Sequence, residues 1–141
     1  MRSFPITGSA IETLIPQRDP MVMVSSLESY EEKSLVTTFR VETACIFVAD
    51  GKLMESGLLE HMAQAVALHT GYSYFLRGEQ APVGYIGAMP KVEIMALPRV
   101  NDVVVSTIEI LQEFMGITLV EIESKVNGET IASARMKTVI A

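Results

Sequence analysis

Residues 58–68 read Leu-Leu-Glu-His-Met-Ala-Gln-Ala-Val-Ala-Leu, an apolar stretch that holds one acid, Glu60, and one amide, Gln64. These two polar side chains are four positions apart and therefore project from one helical face, which Ala67 and Gly71 continue. Apolar residues cover most of the remaining circumference, so the helix is predicted to be buried on most sides. A carboxylate in such surroundings is costly unless it is hydrogen-bonded, protonated or open to a cleft. Glu60 is therefore the first candidate functional residue.

The surrounding pattern predicts one long helix over about residues 55–76 and about six antiparallel strands. A short helix or turn is predicted within residues 11–20. The strands are predicted at residues 21–30, 34–41, 83–95, 103–114, 117–126 and 129–140. Residues 31–33 form the first hairpin turn, Asn127-Gly128 is a strong signal for a later one, and the strand at 83–95 is expected to bend at Gly87 and Pro90.

These elements predict an α+β protein of the hot-dog type, with one long central helix wrapped by a curved antiparallel sheet. A single apolar helix among so many strands hides its sides only if the sheet curls around it. We expect one domain over residues 1–141. The sheet leaves an edge strand exposed, and the pairing of two protomers covers such an edge, so we also expect a dimer.

The composition is that of a globular protein and argues against several kinds of function. Hydrophobic residues make up 49% and charged residues 20% of the 141 residues,. The net charge is −6 without any run of Lys or Arg, which argues against a nucleic-acid surface,. One cysteine, Cys45, excludes an internal disulfide, and two histidines are too few for a metal site,. No apolar segment is long enough to span a membrane, so we expect a cytoplasmic protein with no metal, cofactor or membrane partner.

Two motifs resemble those of the 3-hydroxyacyl-acyl carrier protein dehydratases. Residues 15–24, Ile-Pro-Gln-Arg-Asp-Pro-Met-Val-Met-Val, resemble the Leu-Pro-His-Arg-x-Pro-Phe-Leu-Leu-Val segment of these enzymes. Residues 60–65, Glu-His-Met-Ala-Gln-Ala, resemble the Glu-x-Met-Ala-Gln-Ala of their central helix. Residues 85–87 and 98–102 stand where the family has a glycine-containing strand and a Pro-Gly-Asp turn.

The resemblance extends over residues 11–140 and is greatest for the dehydratase-like subgroup of aryl-polyene pigment pathways, which shares a shortened loop before the helix. It implies a lyase acting in fatty acid or polyene biosynthesis. The implied substrate is an acyl thioester of acyl carrier protein or coenzyme A, bound in a tunnel beside Glu60. It also implies that Glu60 and Gln64 are the catalytic residues of the helix, with Gln64 orienting Glu60 as the acid.

The chain departs from the family pattern at the position of the catalytic base. These dehydratases carry a Gly-His-Phe-Pro-Gly loop before the helix, and its histidine removes the substrate α-proton. The corresponding residues 47–54 contain Asp50-Gly51-Lys52 and no histidine, and Gln17 replaces the histidine of the first motif. The resemblance therefore leaves the base unassigned.

Elimination of water from a 3-hydroxyacyl thioester also requires polarisation of the carbonyl group. Backbone N–H groups at a helix start can supply it, and Ser56, Gly57 and Leu58 lie at that start,. Gly57 would also permit close approach of a substrate. The glycine-containing strand adds Gly87 as a fourth candidate for substrate binding.

No residue replaces the missing base on spacing alone. His61 points about a quarter-turn away from Glu60, and His69 lies about 14 Å farther along the helix, so neither is placed to meet Glu60 within one chain. We expect His61 to be a structural histidine, with a position facing a partner subunit as the alternative. Asp50 and Glu55 are stand-ins by position if a dimer brings their loop towards the other Glu60. Solvated surface carboxylates are the simpler interpretation of both.

Three functions therefore remain open. The first is a dehydratase-like lyase, and the second is an acyl thioesterase that uses Glu60 alone. The third is a non-catalytic acyl-binding subunit, or the partner of a histidine-bearing dehydratase in a heterodimer. A carrier-protein partner is acidic, so its docking surface should be locally basic. Candidates for that surface are Arg77, Lys91, Arg99, Arg135 and Lys137.

Overall fold

The computed structural model describes residues 3–140, and its central element is the helix α2, Glu55–Leu76. These bounds are those predicted from the sequence. Met54 precedes the helix in extended conformation, and Gly78 follows its end at a φ of 70°, which glycine adopts without steric cost,. Within residues 3–140, no helix combines the length and the apolar character needed to cross a bilayer.

One antiparallel sheet of seven strands surrounds α2. The short helix α1, Ser9–Glu12, and a separate two-stranded hairpin lie outside this sheet. The strands are β1 (Ile6–Thr7), β2 (Ser26–Glu31), β3 (Ser34–Arg40), β4 (Val48–Ala49), β5 (Lys52–Leu53), β6 (Gly84–Ile94), β7 (Val103–Phe114), β8 (Ile117–Val126) and β9 (Glu129–Ile140).

The spatial order of the sheet is β1-β2-β3-β7-β8-β9-β6. Helix α2 contacts β2, β3, β6, β7 and β8, so the sheet covers it from several sides. All six predicted strands are present, and the two-residue β1 is the seventh. The hot-dog fold is confirmed.

The core lies between α2 and the inner face of the sheet. Leu35, Thr37 and Phe39 alternate with less buried residues along β3, as predicted for a strand with one face towards the core,. The same alternation along β7 buries Val104 and Ile108. The period-two pattern therefore fixes which side chains can meet the helix.

The first predicted strand begins later than expected, at Ser26 rather than residue 21. The backbone ahead of it is bound by α2 instead. The N–H of Met23 donates to Gln64 Oε1 at 2.7 Å, and its carbonyl accepts from His61 Nδ1 at 2.7 Å. The Met21 carbonyl accepts from Gln64 Nε2 at 2.6 Å. Because helix side chains satisfy these backbone groups, the segment needs no neighbouring strand there.

Strand β6 is a long edge of the sheet. Its pairing with β9 is irregular between Ile86 and Ala88 and between Ala88 and Lys91, the two places that contain Gly87 and Pro90, where bends were predicted. Nearly all of its eleven residues are exposed. The other edge consists only of the two-residue β1, so β6 is the edge with the length to pair with a second chain,.

Candidate functional site

Glu60 and Gln64 form a fixed polar pair on α2. Gln64 is completely buried, and its Nε2 donates to Glu60 Oε2 at 2.7 Å as well as to the Met21 carbonyl. Glu60 is half-buried, and no donor within residues 3–140 is hydrogen-bonded to its Oε1. The carboxylate therefore has one oxygen held by Gln64 and one available to a ligand.

A cleft of about 200 Å³ opens beside Glu60. Small residues of α2, Ala63 and Ala67, form its floor next to the carboxylate. Its walls come from the segment before Met21, from the start of β6 and from the end of β9; they include Leu14, Gln17, Tyr85, Ile86 and Thr138. Glu60 thus opens onto a cleft, one of the conditions under which a carboxylate on an apolar helix is tolerated.

The segment of residues 14–21 crosses α2 and is anchored at both ends. At one end the Leu14 carbonyl lies against Gly71, where an added Cβ would come within 1.8 Å of that oxygen. At the other end Gln64 binds the Met21 carbonyl. Between them, Arg18 Nη1 donates to the carbonyls of Ile15 at 2.9 Å and Gln17 at 2.7 Å. This anchoring role of Gly71 was not predicted from the sequence, although the place of Gly71 on the Glu60 face of the helix was the signal for it.

The start of α2 has no side-chain cap. Within residues 3–140, no acceptor is bonded to the amides of Glu55, Ser56 and Gly57, whereas the Leu58 N–H donates to the Met54 carbonyl at 3.1 Å,. The Leu58 side chain is also completely buried. Leu58 therefore differs from the expectation of a free donor for substrate.

Gly57 and Gly87 occupy different environments. A Cβ on Gly57 would lie 2.5 Å from Phe47 Cβ and 2.6 Å from Leu53 Cδ1, so packing within the chain already requires glycine there. Gly87 lies at the irregular part of β6, next to the Ile86 that lines the Glu60 cleft. It is not itself among the described residues that line this cleft.

His61 is part of the core and not of the cleft. Its Nδ1–H donates to the Met23 carbonyl, so its Nε2 must accept from Ser106 Oγ, which lies 2.7 Å away,. Ser124 then donates to Ser106 at 2.7 Å. Burial lowers the pKa of His61 to about 4, and the ring is therefore neutral near pH 7,. This is the structural histidine that was predicted.

His69 is likewise bound away from Glu60. Its Nε2–H donates to the Glu31 carbonyl at 3.0 Å, and its ring stacks on Tyr30 with 4.8 Å between centroids. Burial lowers the pKa of His69 as well,. Neither histidine of the chain is therefore placed as a base for the Glu60 cleft.

A second cavity of about 300 Å³ adjoins the Glu60 cleft. It lies between the C-terminal half of α2 and the inner face of the sheet, and His69 lines it. The residues that line both spaces are Val66, Thr70, Thr118, Thr138 and Ile140. The alternation along the last strand, which sets Thr138 and Ile140 on the side of Met136, was the sequence signal for this shared wall.

The remaining candidates lie on the surface. Asp50 is in the β4–β5 turn with a φ of 51°, and Glu55 is exposed in the first turn of α2. Arg77, Lys91 and Arg135 form exposed ion pairs with Glu79, Glu93 and Glu121, respectively. Within residues 3–140, no group of three or more His, Cys, Asp or Glu side chains is arranged to hold a metal ion.

Solved structures share this fold. The dehydratase heterocomplex ApeI:P from Xenorhabdus doucetiae has a chain that matches with a TM-score of 0.88 and 19% identity, covering 99% of this chain and 93% of that one. A hypothetical thioesterase from Streptococcus pneumoniae TIGR4, solved with coenzyme A, matches with a TM-score of 0.67 and 12% identity over 82% and 84% of the two chains. The PaaI protein of E. coli gives 0.65 and 18% over 80% of each chain.

Comparison of the sequence with models of protein families identifies the family, whereas the solved structures show only the fold. No curated protein matches the chain. The family model described as ApeP dehydratase, of the ApeP-like family, matches residues 9–141. The matched residues include the segment over the cleft, α2 and every long strand. This chain therefore belongs to the ApeP-like family of dehydratases.

Proposed function

We propose that this chain is the acid-bearing subunit of a 3-hydroxyacyl thioester dehydratase whose catalytic histidine comes from a related partner subunit. One observation carries the proposal: the cleft presents Glu60 with a free oxygen, while both histidines are bound elsewhere. The acid is thus in place and the base has to come from outside the chain. The name of the Xenorhabdus structure, a dehydratase heterocomplex, supports this division between two subunits.

The chemistry assigns one task to each group. The partner's base removes the α-proton, the electrons of that C–H bond form the new C=C bond, and the C–O bond to the 3-hydroxyl breaks. Glu60, in its acid form, gives a proton to the departing hydroxyl, which leaves as water. Gln64 keeps Glu60 in orientation through Oε2. The unbonded amides of Ser56 and Gly57 polarise the thioester carbonyl.

The acyl chain occupies the space between α2 and the sheet. The cleft beside Glu60 and the second cavity adjoin along Val66 and Thr70, and together they form a path on the inner side of the sheet. The thioester end lies at Glu60 and the distal end of the chain points towards His69. The carrier is acyl carrier protein or coenzyme A.

The partner subunit pairs with the edge strand β6. Tyr85, Met89 and Val92 of this strand have exposed fractions of 61%, 42% and 38%. The register aligns Tyr85 with an exposed apolar row across the sheet, formed by Val139, Ile117 and Phe114. An open edge beside exposed apolar residues favours association with another chain. The β6 edge also borders the Glu60 cleft, which brings a partner close to the acid.

Reconstitution tests the proposal. The chain alone should form enoyl thioester from 3-hydroxyacyl thioester about 10² to 10⁴ times more slowly than the chain combined with a histidine-bearing hot-dog subunit of the same family. The added subunit carries its own acid mutated to glutamine, so that any restored rate requires Glu60. Rapid dehydration by the chain alone would contradict the need for an external base.

A thioesterase is the second candidate, and the free Oε1 of Glu60 favours it. A single carboxylate can activate water or attack the thioester without histidine. Free-thiol release is measured beside enoyl formation on the same samples. Thiol release that disappears in Glu60→Gln, without enoyl formation in the wild type, would favour the thioesterase over the dehydratase.

A further inference from the structure

Gln17 carries an unusual polar group in the wall of the Glu60 cleft. Its side-chain oxygen Oε1 is buried and has no hydrogen-bond partner, and it is the sole such side-chain atom among the described residues. An unpartnered buried acceptor costs about 1–3 kcal/mol, so it is rarely kept without a reason. The same residue lines the cleft onto which Glu60 opens.

The backbone around Gln17 is held in place by contacts on both sides. Leu14 rests on Gly71, and Arg18 binds the carbonyl of Gln17 itself at 2.7 Å. The Met21 N–H donates to the Arg18 carbonyl at 2.9 Å, and Gln64 fixes the Met21 carbonyl. An anchored segment therefore holds Gln17 in the wall of the cleft, and rotation about the side-chain bonds turns its covered Oε1 to a donor that a ligand brings.

We infer that Gln17 binds the 3-hydroxyl group of the substrate and fixes its direction towards Glu60; this inference rests on the proposed function. A hydroxyl that is to leave as water must turn a lone pair to the acid, and its own O–H hydrogen then needs an acceptor. Glu60 in its acid form donates a hydrogen bond to the oxygen of this hydroxyl. Gln17 lines the same cleft, and its Oε1 is an acceptor without a partner among residues 3–140. Gln17 is thus a positioning residue for the leaving group.

If Gln17 has this role, its replacement should affect stability in the direction opposite to the replacement of a glutamine that holds the structure together. Gln17→Leu removes a buried amide oxygen that has no hydrogen-bond partner among residues 3–140, so the unliganded protein should unfold at the same or a higher temperature,. A glutamine that held the segment in place would show the reverse, with a lower unfolding temperature after substitution. A lowered melting temperature of unliganded Gln17→Leu would therefore overturn the inference.

Binding measurements test the contact itself. The probes are two pantetheine conjugates with an amide in place of the thioester, 3-hydroxyoctanoyl and octanoyl, titrated calorimetrically into the protein in its native assembly. Gln17→Leu should weaken binding of the hydroxylated probe about 5- to 10-fold and leave the octanoyl probe unchanged. Gln112→Leu, on the outer face of the sheet, is the matched control and should change neither.

Other binding results would overturn the inference alone or the proposed function with it. Equal weakening of both probes would assign Gln17 to the pantetheine arm or the acyl chain, and no change in either would remove it from the site; each result overturns the inference while the proposed function stands. If the wild-type protein binds neither probe, the proposed function fails first and the inference with it.

Discussion

Gln64 Nε2 donates to Glu60 Oε2 at 2.7 Å, and the remaining hydrogen bonds of the same amide hold the backbone of Met21 and Met23. One buried side chain therefore couples the candidate acid to the segment that forms the wall of its cleft. A motif residue that lies four positions from Glu60 serves both the chemistry and the fold.

Glu60→Gln should reduce enoyl formation by the assembled dehydratase about 10²- to 10⁴-fold, because the substitution keeps the shape of the side chain and removes its proton. The free energy of unfolding should change little, since an amide can still bond to Gln64. Enoyl formation and urea unfolding are measured on the same preparations. Glu123→Gln, an exposed carboxylate on β8, serves as the control. Undiminished turnover in Glu60→Gln would refute the assignment of the acid.

Gln64→Leu should lower the free energy of unfolding by roughly 2–5 kcal/mol. The substitution removes the partner of the buried Met23 N–H and of the part-buried Met21 carbonyl, and an unpartnered buried group costs about 1–3 kcal/mol,. Urea unfolding followed by circular dichroism gives the value. Gln112→Leu should stay within about 0.5 kcal/mol of the wild type. A loss as small as that of the control would show that water or a rearranged segment replaces these bonds.

The free energy of unfolding should fall as the pH is lowered from about 6.5 towards 4. Burial holds the pKa of His61 at about 4, below its usual value of 6.5, so the unfolded chain binds a proton in this range that the folded chain does not,. The expected loss from this residue between pH 7.5 and pH 5 is about 2 kcal/mol. His69, whose pKa is also lowered, adds to it in the same direction.

His61→Asn removes this titrating group and tests its share of the pH dependence. The variant should be less stable at pH 7.5, because the core hydrogen bonds are disturbed, but its stability should fall less on acidification. Denaturant unfolding at both pH values measures the difference. A pH dependence identical to that of the wild type would contradict a neutral, buried His61.

Gly71→Ala should destabilise the protein by roughly 1–3 kcal/mol or more, because the new methyl group would overlap the Leu14 carbonyl and push the segment over the cleft away from α2,. Thermal unfolding measures the effect. Gly84→Ala is the matched control, since its Cβ would meet only the Val139 carbonyl at 3.8 Å. Equal melting temperatures for both variants would show that the segment moves aside without cost.

Charges on the open edge should prevent association. Met89→Lys combined with Val92→Lys places two cations on exposed positions of β6, so the fold of the single chain should survive while pairing with a partner is lost,. Light scattering at micromolar concentration should show a dimer for the wild type and a monomer for the double variant. Thr107→Lys, on an inner strand of the sheet, should remain dimeric. A wild-type chain that stays monomeric both alone and when mixed with the histidine-bearing subunit would count against the paired edge.

Much of the fold could be predicted because the signals are local. The alternation of β3 and the helical pattern of residues 55–76 depend only on neighbours in sequence, and both are found as predicted,. The turn Asn127-Gly128 joins β8 and β9 with φ values of 51° and 80°, the conformation for which this dipeptide is favoured,. The missing histidine before α2 was also visible in the sequence alone.

The sequence by itself determined that Glu60 and Gln64 share a helical face, since a spacing of four sets that geometry. Only the tertiary structure decided what each polar group meets. Gln64 and His61 are hydrogen-bonded to Met23, which is 41 and 38 positions away in the sequence. Because of these bonds, the segment that begins at residue 21 does not form the strand predicted there. The burial of Gln17 Oε1 without a hydrogen-bond partner likewise depends on how that segment lies on α2. Hydrogen-bond partners so far apart in sequence are set by packing, which no local pattern encodes.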